Sequence, residues 1–146
     1  MRRTGRLTVA LILACAVSAS AAMKPHMDHE PKHGGVFFMA PDRTHHLEGV
    51  LLPAGTFKVY LFDEYTRPVP AKGFAAVMTV DGVDDGRKLK LDLDAADGTL
   101  CIRDLPMKSF PVDLTVWITF PPRAGEPPRT DLFSFSFDKF SAAATR

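Results

Sequence analysis

Alternation with a period of two is the feature that most restricts what this chain can fold into. Val112, Leu114, Val116, Ile118 and Phe120 fall on one side of an extended segment, with Asp113, Thr115, Trp117 and Thr119 on the other. Phe133, Phe135 and Phe137 alternate with Ser134 and Ser136, and Phe57, Val59 and Leu61 alternate with Lys58, Tyr60 and Phe62. Successive side chains on a strand point to opposite faces, so each segment offers one apolar face to a core. Further strands are expected over 36–39, 44–52, 74–80, 88–93 and 99–103, with Pro53-Ala54-Gly55, Asp81-Gly82 and Asp97-Gly98 as turns between them. No stretch carries a helical period of useful length. The pattern predicts an all-β chain, an immunoglobulin-like antiparallel β-sandwich of about seven to eight strands. A small closed barrel is the alternative.

With 146 residues there is material for one domain. The first 22 read as a signal peptide: Arg2, Arg3 and Arg6, then the apolar run Leu7 to Val17, then Ala19-Ser20-Ala21-Ala22 for cleavage. That run is too short for a membrane span. Leu11-Ile12-Leu13-Ala14-Cys15 resembles a lipoprotein cleavage box, but Arg6 lies close to the cysteine and an A-x-A site follows. Export removes Cys15 and leaves Cys101 alone, so no intrachain disulfide supports the domain and its core must do so. Cys101, between Leu100 and Ile102, reads as a small buried residue. Loss of three arginines leaves 15 basic against 17 acidic residues, a balance that favours neither nucleic acid nor an anionic membrane as partner. The chain has no Asn and no Gln, which we read as the bias of a GC-rich bacterium and hence a periplasmic location.

Chemistry concentrates in one stretch. All five histidines, His26, His29, His33, His45 and His46, lie between residues 26 and 48, with Glu30, Glu48, Met27 and Met39 in the same stretch. Imidazole, carboxylate and thioether are the usual ligands of transition metals. Residues 23–32 have no apolar period and two prolines, and are expected to form a flexible arm. Residues 33–146 are then the β domain. On the second strand Leu47 and Leu51 share the core face, which puts His46 and Glu48 on the other and His45 opposite them. A turn centred on Pro41-Asp42 sets Met39 across from about Thr44 and carries His33 to the neighbourhood of Glu48 to Val50. The expected site is therefore His33, His46 and Glu48 on one cation, with His45, His29, His26 and Met27 as further candidate ligands. His together with Met favours copper, and zinc, nickel or cobalt suit imidazole as well. Such binding weakens as pH falls through about 6.5, the ordinary imidazole value.

The motifs give no support for an enzyme: nucleophile elbow, phosphate loop and H-E-x-x-H are all missing. No histidine follows Cys101, which excludes a blue-copper centre. The segments H-G-G-V-F-F-M-A-P-D-R-T-H-H-L-E-G-V and F-K-V-Y-L-F-D-E-Y-T-R-P resemble a group of small exported bacterial proteins that accompany heavy-metal efflux genes. The H-G-G…H-x-E arrangement is also similar to one in periplasmic adaptors of metal efflux pumps. The resemblance covers residues 33–68, with an echo in D-L-F-S-F-S-F. It implies periplasmic metal handling beside an efflux component, with His33, His46 and Glu48 as the matching positions. The expectation is a non-catalytic periplasmic metal-binding protein. The rivals are an envelope interaction module that uses the Trp117 face and a metal-dependent hydrolase.

Overall fold

The structure is a computed structural model that describes residues 24–142. The expected signal segment, with Cys15, lies outside the described residues. Nine strands follow one another: β1 (Val36–Met39), β2 (His45–Leu52), β3 (Thr56–Asp63), β4 (Pro68–Val69), β5 (Ala75–Val80), β6 (Leu89–Asp94), β7 (Thr99–Ile102), β8 (Val112–Phe120) and β9 (Arg129–Phe137). The all-β class is as the alternation predicts. Every pairing is antiparallel. The strands form one sheet in the order β1-β2-β3-β7-β6-β5-β8-β9, with β4 beside β3.

The sheet curls so that its two halves face each other, and β6 joins them by pairing β7 on one side and β5 on the other. Leu47, Leu51, Phe57, Val59 and Leu61 from one half meet Met78, Leu114, Val116, Ile118 and Phe135 from the other, all fully or almost fully buried. The outermost strands also approach each other. Phe38 of β1 packs edge-on to Phe135 of β9 at 5.1 Å. Past β9, the Ser141 amide donates to the Leu51 carbonyl at 2.8 Å, and the Leu51 amide donates to Ser141 Oγ at 3.0 Å. The result packs face to face like a sandwich and is almost closed like a barrel. Cys101 is buried.

Gly49, in the middle of β2, shows how tight this seam is. A Cβ there would stand 2.3 Å from the Phe135 ring, itself fully buried. Gly49→Ala is therefore expected to destabilise the fold by about 1–3 kcal/mol through overpacking, read as a lower midpoint in urea denaturation.

The first hairpin is longer than its turn residues suggest. Met39 pairs with His46, two positions beyond the expected Thr44. The cause is the Asp42 carboxylate, which accepts from the amides of Thr44 at 2.9 Å and His45 at 3.0 Å. That Asx-type turn, together with an Ala40 amide bonded to the His45 carbonyl, takes the extra residues out of the ladder.

Candidate metal centre

β2 is buried on both faces, and the two faces have different covers. Leu47, Gly49 and Leu51 face the core, while His46 and Glu48 lie on the outer face, each at 0 % exposure. What covers them is the segment 24–35. The arm expected to be mobile lies across the outer face of β1, β2 and β3, held at several points. The His26 amide donates to the Glu64 carbonyl at 2.8 Å, and Thr66 Oγ1 donates to the Asp28 carbonyl at 3.0 Å.

Glu48 is the strongest anchor. Its carboxylate accepts from the amides of Lys32 at 2.9 Å, His33 at 2.8 Å and Gly35 at 2.8 Å, and pairs with His33 Nδ1 at 2.9 Å. Successive amides curled around an anion form a nest, which offsets the cost of burying the charge. The glycine pair makes that curl possible. Gly34 has φ +71°, and a Cβ on Gly35 would meet the Gly49 carbonyl oxygen at 2.1 Å. The His33 ring lies flat on Tyr60 with centroids 3.7 Å apart. Both Glu48 oxygens are thus spent on the arm, which makes this residue a clamp.

His46 faces different partners. Its Nδ1 lies 2.9 Å from the Asp63 carbonyl oxygen. A carbonyl only accepts, so Nδ1 carries the proton and a neutral ring keeps its lone pair on Nε2. That Nε2 stands 3.4 Å from His26 Nδ1. Two nitrogens bound at 2.0–2.1 Å to a tetrahedral ion stand about 3.3–3.4 Å apart. A proton or a single cation can satisfy the pair. His29 completes the group, and one nitrogen from each of His26, His29 and His46 lies within 4.8 Å of the others. His29 is exposed, so drawing it inward takes the rotation of one free side chain. Phe37 of β1 forms a wall, its ring stacked on His46 at 5.4 Å and on His29 at 6.5 Å. Three imidazoles here can hold a metal ion. A backbone carbonyl that fixes the tautomer of the central one is the usual outer support of a metal-bound histidine.

The set brought together is drawn from the expected ligands, with the further candidates His26 and His29 beside His46 in place of His33 and Glu48. Of His33, His46 and Glu48, only His46 is in the imidazole group; Glu48 holds the arm, and His33 holds Glu48. Met27 is 74 % exposed on the arm between His26 and His29. His45 stands apart, as strand alternation requires. Its ring packs on Phe74 and Phe120, and its Nδ1 meets Asp42 Oδ2 at 2.6 Å. Arg129 Nη2 reaches the same oxygen at 3.1 Å.

Burial alone would raise the Asp42 carboxyl, but hydrogen bonds from His45, Thr44 and Arg129 outweigh it and hold the group well below its ordinary 3.8. A carboxyl depressed by folding contributes stability above its unfolded value and loses it as pH falls toward the folded one. Asp42→Asn should accordingly cost about 1–3 kcal/mol at neutral pH. The gap to wild type should close as the buffer is taken below pH 4, measured by denaturation across the series.

No helix among the described residues is long and apolar enough to cross a membrane. Compared with protein-family models, curated proteins and solved structures, the chain matches none.

Proposed function

We propose that this chain is a non-catalytic periplasmic metal-binding protein that buffers a transition-metal ion or delivers it to an efflux system. The observation that carries the reading is the His26, His29 and His46 group, with His46 fully buried and its free nitrogen directed at His26. Copper is the favoured ion, since thioethers lie beside the imidazoles, and zinc, nickel and cobalt are accommodated by the imidazoles themselves. Two of the imidazoles come from the arm and one from the sheet, an arrangement that lets an ion be handed on when the arm lifts. The test is metal analysis of the tag-free chain after equilibration with each ion and gel filtration. One retained ion per chain supports the reading, and a metal-free protein removes it.

A second reading has an observation of its own. On the outer face of the other half-sheet, Trp117 pairs with Val77 and with Leu132, which is 55 % exposed. A groove of about 280 Å³ runs there between Ala75, Lys88, Lys90 and Thr119. An envelope interaction module would use this face, and its partner would stay bound in EDTA.

A further inference from the structure

Large apolar side chains at the surface call for a reason when they stand beside chemistry. Among the described residues Met27, Met39, Leu93 and Leu132 are the exposed ones; Met27 lies between His26 and His29 in the chain, and Met39 pairs with His46. Met39 is the better placed. It sits at the end of β1 directly across from His46, and residues facing each other in an antiparallel pair share one side of the sheet, with Cβ atoms about 4.5–5.5 Å apart. The direction is confirmed by Phe37, two residues earlier on the same strand, whose ring stacks on His46. Met39 is 47 % exposed, so its unbranched side chain is free to turn toward the histidine nitrogens at little cost. Met27 belongs to the arm, whereas Met39 stands on a paired strand next to the buried imidazole.

We propose that Met39 is the thioether ligand that makes this centre selective for a cuprous ion. The inference rests on the metal-binding reading above and adds the residue that chooses the metal. Three imidazoles alone bind zinc, cobalt or nickel as readily as copper. A thioether on the rigid side of the site favours Cu(I) over harder divalent ions. The ion binds without change of oxidation state, and no bond in the protein breaks.

The experiment compares wild type, Met39→Leu and Met27→Leu as tag-free mature chains. Leucine keeps the apolar bulk and removes the sulfur, a volume-conserving exchange on an exposed side chain. Cu(I) affinity is read without oxygen by competition with bicinchoninate, Zn(II) affinity by competition with a chromophoric chelator, and the copper environment by X-ray absorption. We expect Met39→Leu to weaken Cu(I) tenfold or more, to leave Zn(II) within twofold, and to remove a sulfur neighbour that persists in Met27→Leu. Unchanged Cu(I) affinity in Met39→Leu, equal loss of both ions, or loss of the sulfur in Met27→Leu instead would overturn the assignment. A wild-type chain that binds both ions without any sulfur neighbour overturns it while sparing the metal reading. A wild-type chain that binds neither these ions nor nickel or cobalt overturns both.

Discussion

His46→Ala is expected to lower the affinity for metal by at least about a hundredfold while the sheet stays folded. Removing an outer support of a metal-bound histidine costs about 10–100-fold, and His46 is itself a proposed ligand. It is also the one imidazole of the group that the sheet, and not the arm, holds in place, with Nδ1 fixed on the Asp63 carbonyl. The remaining imidazoles, His26 and His29, stay on the docked arm but lose the buried nitrogen that faces them. Because His46 lies on the outer face, its loss leaves the contacts among Leu47, Leu51 and Phe57 intact. Competition with a chelator checks the affinity, and a retained cooperative unfolding transition checks the fold. An affinity within threefold of wild type contradicts the assignment.

Glu48→Ala should have nearly as large an effect by a different route. All three imidazoles are still present in this variant, but the nest formed by the amides of Lys32, His33 and Gly35 has nothing to close on. Hydrogen bonds to a charged group contribute about 1.5–3 kcal/mol each. Losing several at once favours the arm leaving the sheet. An ion that needs the docked arm then binds more weakly in proportion to the fraction docked, on the order of a hundredfold if docking falls to one chain in a hundred. Hydrogen exchange separates the two variants. The Lys32, His33 and Gly35 amides should exchange quickly in Glu48→Ala and slowly in His46→Ala. If Glu48 acted as a metal ligand instead of a clamp, these amides would exchange at the same rate in both variants.

How far the sequence reaches is clear from particular residues. Val112 to Phe120 and Thr56 to Asp63 are strands over the bounds their alternation marks, because one face of each meets the core. Pro68–Val69 went unseen, since two residues carry no period. Alternation says which side chains face inward and is silent on which strands pair. The β3–β7 pairing, for one, joins residues far apart in sequence. The outer-face position of His46 and Glu48 was likewise legible. Their burial was not, because the covering segment has no apolar pattern of its own. The Gly34-Gly35 pair hinted at close backbone approach without showing that amides would gather on a carboxylate. The hairpin register slipped by two because Asp42 caps amides inside the loop; His33 still meets Glu48, while His46 turns to His26.

The most direct test is a titration of the tag-free chain begun at residue 23 beside the same chain begun at residue 33, using Cu(I) and Zn(II) with a competing chelator. The full chain should take up one ion tightly, and the shortened chain, which keeps His33, His45, His46 and Glu48, should lose about a hundredfold or more in affinity. Equal affinity in the two would place the ion away from His26 and His29 and contradict the account.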